Sequence, residues 1–309
     1  MRVDFVKAIE GVLAADPKSM FVTGDLGYSA LENVAATYGR RFLNAGVAEQ
    51  NMVGVAAGLA LAGMRPWVYS IAPFATYRCL EQIRNDVCLH RLPVRIAGNG
   101  GGYTYGIMGA THHALEDFAV LRALPNMRLF FPCSNDHVAA AVGQMAALDG
   151  PAYIRLAISA FTTPVAPLSE QPETLTRQYA ARKDAAAPAV TIIGVGHGVQ
   201  VALRALGSGA LEGKNVDVFG VARFPWDFAA DAALLKSVVE SGNVISVEEH
   251  YADAGMGESL RAALPPTRSF RILAASYSPT QRYGSNAFHM QQCGLTPDAL
   301  VAAVRETLP

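Results

Sequence analysis

The sequence predicts an α/β fold with two doubly wound domains, each built on a mostly parallel sheet. The first observation is that short apolar runs alternate with stretches of helical periodicity along most of the chain. The second is that this alternation stops over residues 158–189, which are rich in proline, and then resumes. A chain of 309 residues has room for two such domains. We therefore predict domains at 1–160 and 188–309, joined by a linker at 161–187.

The first domain is predicted to begin with an amphipathic helix, because apolar residues recur at Val3, Val6, Ile9 and Leu13. Strands and helices alternate after it, as crossover connections between parallel strands require. The predicted strands contain SMFVTG, RFLN, RPWVYSIA, LPVRIAGN, MRLFFPC and PAYIRLA. The predicted helices contain ALENVAATYG, MVGVAAGLALAGM, FATYRCLEQIRNDVCL, LEDFAVLRAL and HVAAAVGQMAAL.

The second domain repeats this order with its own strands and helices. The predicted strands are AVTIIGVG, NVDVFGVA and NVISVEEH, and the predicted helices contain GVQVALRAL, GESLRAAL and TPDALVAAV. The last helix has Thr296 as its N-cap and Pro297 in its first turn, both favoured positions for those residues.

The net charge of −1 gives no electrostatic footprint for nucleic acid or for an anionic membrane. The apolar run Met52–Met64 is too short to cross a bilayer, which takes about 20 residues, and is typical of a buried helix. The four cysteines have no metal-binding spacing, so we expect reduced, buried thiols. These features favour a cytoplasmic protein that binds neither nucleic acid nor membrane.

A glycine-rich loop runs from Gly98 to Gly109 and is closed by His112 and His113. Its six glycines match neither a P-loop nor GxGxxG, but they would let the backbone approach a ligand closely. His112, His113 and Glu116 could contribute metal ligands, yet no further ligand stands nearby. We therefore predict no metal site here and favour a histidine that positions a polar substrate.

Glu49 is a single acid just ahead of the apolar run, in GVAEQNM. Burial at that position should raise its pKa, and a partly protonated carboxyl can donate a hydrogen bond to a ring nitrogen. The alternative is an inert acid favoured by the dipole of the helix that it begins. Spacing alone favours the alternative.

The segment GVAEQNMVGVAAGLALAGMRPWVYSIAPFATYRCLEQIRND resembles the pyrimidine-binding domain of transketolases and of the related 1-deoxyxylulose-5-phosphate synthases. ATHHALEDFAVLRALPNMRLFFPCSN continues the resemblance in the same order and spacing. Residues 188–309 are similar to the C-terminal domain of these enzymes. The resemblance thus covers nearly the whole chain.

The resemblance implies that thiamine diphosphate is the cofactor and that Glu49 bonds the N1′ nitrogen of its aminopyrimidine. That contact promotes removal of the proton from the thiazolium C2, after which the cofactor serves as an electron sink. Phe74 and Tyr77 fall on positions of aromatic residues that stack on the pyrimidine. Ile71 stands where transketolases often have a third aromatic residue.

Four further positions are implied by the same resemblance. His112 matches a histidine that faces the reacting carbon, and Asp25 and Ser29 match positions near cofactor and substrate. Arg155 matches an arginine that binds the substrate's phosphate. One departure is Met108, which replaces an acid that contacts sugar hydroxyls. A second departure is the absence of a loop histidine that binds the phosphate end of the substrate, since this chain has Asn99 and glycines there. We therefore expect a substrate other than a standard pentose phosphate.

The chain begins almost directly at the pyrimidine-binding domain. GDLGYSALEN lacks the third glycine of a diphosphate-binding GDG…N motif, and its Asn33 stands too close. The resemblance therefore implies a split transketolase in which a separate diphosphate-binding N-terminal subunit holds Mg²⁺. We expect an α2β2 heterotetramer and an inactive chain on its own.

Three other functions remain open from the sequence. One is the β subunit of the decarboxylating component of a 2-oxo acid dehydrogenase, and another is a synthase like the deoxyxylulose phosphate enzyme. The third is a non-catalytic scaffold or regulatory subunit. Glu248, Glu249 and His250 end a predicted strand of the second domain, where we favour a role in assembly.

Overall fold

The computed structural model describes residues 1–158, 165–184, 189–276 and 282–308. It contains two mostly parallel sheets with helices packed against them, which confirms the predicted α/β class. None of the helices within these ranges is long and apolar enough to cross a membrane.

The first sheet has seven strands in the order β11-β5-β6-β4-β3-β1-β2. All neighbours are parallel except β11, which runs antiparallel to β5. The strands are β1 (Ser19–Thr23), β2 (Phe42–Asn44), β3 (Arg65–Ile71), β4 (Arg95–Asn99), β5 (Arg128–Phe130), β6 (Ala152–Leu156) and β11 (Arg223–Phe224).

The second sheet has six strands in the order β13-β12-β9-β10-β8-β7. Its first four strands in that order are parallel, and β8 and β7 are antiparallel additions at one edge. The strands are β7 (Ser169–Gln171), β8 (Thr176–Ala180), β9 (Val190–Gly194), β10 (Val216–Val221), β12 (Asn243–Tyr251) and β13 (Ser269–Ala275).

The helices lie mainly between consecutive strands. They are α1 (Arg2–Ala15), α2 (Glu32–Tyr38), α3 (Glu49–Leu61), α4 (Ala72–Thr76), α5 (Leu80–Gln82), α6 (Asp117–Arg122), α7 (His137–Ala147), α8 (His197–Gly207), α9 (Ala232–Ser241), α10 (Met256–Ala263), α11 (Asn286–Gln292) and α12 (Pro297–Thr307). The Thr296 side chain accepts a hydrogen bond from the backbone of Ala299, so the predicted N-cap of α12 is confirmed.

The first helix buries a face slightly different from the one predicted. Phe5, Ile9 and Leu13 are fully buried, whereas Val3 is 74% exposed. The large Phe5 ring stacks with Tyr69 and therefore determines which side of the helix faces the sheet.

The segment predicted as a linker contains regular structure. Within 161–187, the strands β7 and β8 extend the edge of the second sheet. The backbone of Arg177 pairs with Gly220 of β10, and its side chain binds Asp136 of the first domain. The prolines obscured these short strands because they break up the apolar periodicity at an edge position.

The second predicted domain also contributes a strand to the first sheet. β11 comes from the second half of the chain but completes the first sheet, and the backbone of Phe131 donates a hydrogen bond to the carbonyl of Ala222. The two halves are thus joined through backbone as well as side chains.

Candidate active site

Glu49 is the first residue of α3, beyond the carboxyl end of β2, and only 3% of it is exposed. Met52, Val53 and Ala56 on the same helix are fully buried, as the apolar run predicts. The helix begins without a side-chain cap, so the carboxylate at its first position also faces the positive end of the helix dipole. A buried acid is therefore held at the edge of the sheet where strands end.

Arg78 is the partner of this carboxylate. Its Nη1 donates to Oε2 of Glu49 at 2.8 Å, while the other oxygen, Oε1, accepts no hydrogen bond from the described residues. The guanidinium lies 4.1 Å from the centre of the Phe74 ring. Because 45% of the Arg78 side chain is exposed, the pair lies at the mouth of the site.

His112 also packs against Phe74. Their ring centres are 5.0 Å apart in an edge-on arrangement, and the Tyr105 ring is 5.9 Å from the histidine. The hydroxyl of Thr111 is 2.9 Å from its Nδ1. Burial, with the positive charge of Arg78, lowers the pKa of His112. A neutral imidazole at this position can accept or donate a proton.

Tyr77 faces a different direction from Phe74. Its hydroxyl donates to Oε2 of Glu116 at 2.9 Å and accepts from the backbone of Glu116 at 3.0 Å. Burial raises the pKa of the Tyr77 phenol. Tyr77 thus bonds to the residue that precedes α6, and this geometry gives no support to stacking on a pyrimidine. Ile71 is half-buried at the end of β3, paired with Asn99 of β4.

Asp25 and Ser29 lie in the loop after β1, both with positive φ (58° and 62°). Asp25 accepts a hydrogen bond from the side chain of Asn44 at 2.8 Å and lines a cavity of about 190 Å³. Gly24, next to it, packs against Glu49, since a Cβ there would lie 3.6 Å from the Cγ of that residue. Asp25 is therefore close to the site, whereas Ser29 is an exposed loop residue.

Arg155 lies inside the protein. Its guanidinium is 3.3 Å from Asp117 and 3.4 Å from Glu249, and 9% of the side chain is exposed. Gly101 lies directly against it, because a Cβ there would be 1.9 Å from the arginine Nε. Carboxylates of both domains thus satisfy this arginine, and the arrangement gives no support to the predicted contact with a substrate phosphate.

His112, His113 and Glu116, which the sequence offered as possible metal ligands, each contact different residues. His113 packs against Tyr103 and His289, whereas Glu116 binds Tyr77. Among the described residues, no group of three or more His, Cys, Asp or Glu side chains has a metal-binding arrangement.

The loop positions that depart from transketolases lie at two depths. Met108 is 51% exposed. Asn99 is buried, its amide nitrogen lies 3.1 Å from the Tyr105 hydroxyl, and its Oδ1 is buried without a hydrogen-bond partner among the described residues. A buried acceptor without a partner is costly, which makes Asn99 a candidate contact for a polar ligand.

Sequence reasoning missed Arg78, Tyr105 and His289. Arg78 stands four residues after Phe74, so helical spacing alone could have placed them together. His289 carries no local signal, because its contact with Gly106 spans 183 residues. Tyr105 precedes His112 by seven residues in the irregular glycine-rich loop, where no periodicity predicts a contact.

Two family models match this chain. The model of the transketolase pyrimidine-binding domain matches residues 1–162, and that of the transketolase C-terminal domain matches residues 179–287.

Individual relatives agree with these models. The 6-deoxy-6-sulfo-D-fructose transketolase subunit SqwH of Clostridium sp. (strain MSTE9) is 32% identical over 72% of this chain and 67% of its own length. An apulose-4-phosphate transketolase subunit of Phocaeicola vulgatus is 31% identical over 83% of this chain and 80% of its own length. A solved split-gene transketolase, an inactive β4 tetramer, is 30% identical with a TM-score of 0.81, over 99% of this chain and 97% of that chain.

Proposed function

The chain belongs to the transketolase family, which depends on thiamine diphosphate, and from that premise we propose that it is one subunit of a split transketolase. Joined to a separate diphosphate-binding subunit, it transfers a two-carbon ketol unit from a ketose to an aldehyde acceptor. Glu49 and His112 are its catalytic residues.

The observation that carries the proposal is the state of the Glu49 carboxylate. It is buried, one oxygen is fixed by Arg78 and the other receives no hydrogen bond from the described residues. An aromatic face, Phe74, lies next to the same arginine. A buried acceptor beside an aromatic ring fits an aminopyrimidine, which needs a hydrogen-bond partner for a ring nitrogen and a face to pack on.

Each residue then has a role that follows from its position. Glu49 would contact the ring nitrogen of the bound cofactor through its free oxygen, and Arg78 would keep the carboxylate in that orientation. Burial and Arg78 lower the pKa of His112, which favours the neutral imidazole. His112 then positions the substrate hydroxyl or exchanges a proton with it. When bound, thiamine diphosphate supplies the electron sink for breaking the carbon–carbon bond.

The existence of a partner is supported by the relatives. Two of them are named as transketolase subunits, and the solved β4 tetramer is inactive. We infer that the partner binds the diphosphate and its Mg²⁺, and that two copies of each chain form the active α2β2 assembly.

The relatives also suggest which substrates to try. One is named for a sulfo-fructose and the other for a sugar phosphate. With Met108 replacing a hydroxyl-binding acid, ketoses carrying a terminal anion and few contacted hydroxyls are the first donors to test.

The test is turnover by the chain copurified with its diphosphate-binding partner. Ketose phosphates and sulfonates are offered as donors with aldose acceptors, and 2-oxo acids are offered in parallel. We expect ketol transfer without release of CO₂. Glu49→Gln, which keeps the shape but replaces a carboxylate oxygen by an amide nitrogen, should lower turnover by about 10²–10⁴-fold with a nearly unchanged melting temperature.

The matched control is Glu81→Gln, an exposed glutamate on α5, which should leave turnover unchanged. Release of CO₂ from 2-oxo acids would instead favour a dehydrogenase component or a decarboxylating synthase. Full turnover by the Glu49→Gln complex would contradict the catalytic assignment and favour the scaffold.

A further inference from the structure

The loop that carries His112 is held by the second domain. Residues 100–113 follow β4 of the first sheet, but several of their contacts are with α11 and with Glu249 of β12. The backbone N–H of Tyr103 donates to Oε1 of Glu249 at 2.9 Å, and Asn286 of α11 donates to the same oxygen at 2.9 Å.

His289 is the centre of this contact. Its ring stacks on Tyr103, with ring centres 4.9 Å apart and planes inclined by 10°, and meets His113 at 4.9 Å. Only 7% of the histidine is exposed. Its Nε2 lies 3.3 Å from the carbonyl oxygen of Gly106, and the Nε2 of His113 lies 3.4 Å from the same oxygen.

Gly106 presses the loop directly against α11. A Cβ at that position would lie 2.5 Å from the carbonyl of Gly284 and 2.7 Å from the His289 ring. Only glycine permits this approach, because a Cβ less than 3.0 Å from these atoms would force the loop or α11 to move.

The contact is transmitted to His112 through a short run of turns. The N–H of Gly109 donates to Gly106 at 3.2 Å, and the N–H of His112 donates to Gly109 at 2.9 Å. These bonds belong to two consecutive 3₁₀ turns, Gly106–Met108 and Ala110–His112. The position of Gly106 therefore determines where the His112 side chain meets Phe74.

We propose that His289 is a positioning residue, through which the second domain holds the Gly106–His112 turns so that the His112 imidazole faces Phe74. This deepens the proposed function, on which its catalytic consequence rests. In this arrangement α11 supports the active site although no side chain of α11 contacts the reacting atoms. The second domain would then be needed for turnover as well as for assembly.

The first experiment uses the full chain alone and requires no substrate. Backbone hydrogen exchange of the loop is compared for the natural chain, His289→Ala and the control Gln291→Ala, an exposed residue of the same helix. We expect His289→Ala to speed exchange in the peptide spanning 106–112 on the order of tenfold, because a local opening becomes easier. Gln291→Ala should leave it unchanged.

The titration of His112 by NMR is the second readout. Burial and Arg78 lower its pKa in the natural chain, so a loosened loop should return the midpoint upward towards that of a free imidazole. A folded His289→Ala chain with unchanged exchange and an unchanged His112 midpoint would overturn the proposal. If that variant does not fold, His289→Phe replaces it, because phenylalanine keeps the stacked ring. This variant must show faster exchange in 106–112 and a higher His112 midpoint, each by a smaller amount.

Turnover with the partner separates positioning from general damage. His289→Ala should lower kcat, while the affinity for thiamine diphosphate should stay the same, because the groups proposed to hold it, Glu49, Phe74 and the partner subunit, lie outside the loop. Equal loss of both would indicate a structural defect and contradict the proposal. The exchange and titration results hold whatever reaction the assembled enzyme catalyses, so failure of the proposed function would be seen separately.

Discussion

Two arginines in the first sheet's half of the chain bind carboxylates, and the two clusters differ in burial. Arg78 is 45% exposed and binds one buried acid, Glu49, at 2.8 Å. Arg155 is 9% exposed and lies between two acids, Asp117 and Glu249, at 3.3 and 3.4 Å. The first cluster opens to solvent beside Phe74, and the second is enclosed between the two domains.

This difference indicates what each cluster can do. Arg155 is 9% exposed and its guanidinium already contacts two carboxylates, so little of it is left for a substrate, and removing it would take away the cation that both acids share. The exposed arginine can move, because water replaces its contacts at little cost. The enclosed cluster therefore joins the domains, and the open one serves the site.

The largest expected effect follows from Arg155→Met, which keeps the stem of the side chain but removes the charge. Asp117 and Glu249 would then be buried without this cation, so we expect a loss of about 3–5 kcal/mol in the free energy of unfolding. Urea unfolding at neutral pH measures it. Arg204→Met, an exposed residue of α8, is the control and should change stability by less than about 0.5 kcal/mol.

A folded Arg155→Met chain of natural stability, whose complex with the partner has a raised KM for phosphorylated substrates, would contradict this assignment. It would instead restore the phosphate-binding role predicted from the sequence.

A buried pair on β12 beside the enclosed cluster, Glu248 and His250, should hold a proton that the unfolded chain releases. Burial raises the pKa of Glu248 to about 8 and lowers that of His250, 2.9 Å away, so the folded pair keeps one proton on the acid. Above about pH 6.5 the unfolded pair keeps none. Stability should therefore fall as pH rises from about 6.5 to 8, by about 2 kcal/mol in all.

Glu248→Gln cannot release this proton, so the slope of stability against pH should flatten between about pH 6.5 and 8. Urea unfolding at several pH values measures it, with the exposed Glu212→Gln as the control that retains the slope. A Glu248→Gln chain that kept the full slope would show that the proton resides elsewhere.

Local pattern was enough to predict most of the fold. The spacing of apolar residues located α3 and α12, and the acid ahead of the run marked Glu49 as the first residue of its helix. The alternation of strands and helices also gave two parallel sheets. These features depend on neighbours within a few residues, which a sequence displays directly.

The rest depended on contacts between distant segments. Nothing in the sequence indicated the acids that bind Arg155, because Asp117 and Glu249 stand 38 and 94 residues away. The seven-residue helix α11 has too few turns to show a periodic face, so its contact with the loop was invisible. β7 and β8 were missed for a different reason, because they are short antiparallel edge strands in a proline-rich segment.

The smallest effect on stability is expected at the open cluster. Arg78→Ala should cost about 1 kcal/mol or less in urea unfolding, because the arginine is half-exposed and Glu49 can be reached by water once it is gone. Turnover with the partner should fall roughly tenfold, since the carboxylate loses one charge-assisted hydrogen bond that orients it. Loss of the nearby positive charge should also raise the His112 pKa, which NMR titration measures. The exposed Arg84→Ala, six residues along, is the control. If Arg78→Ala lost as much stability as Arg155→Met, the two clusters would be energetically alike, and exposure would not separate the arginine of the site from the arginine of the domain interface.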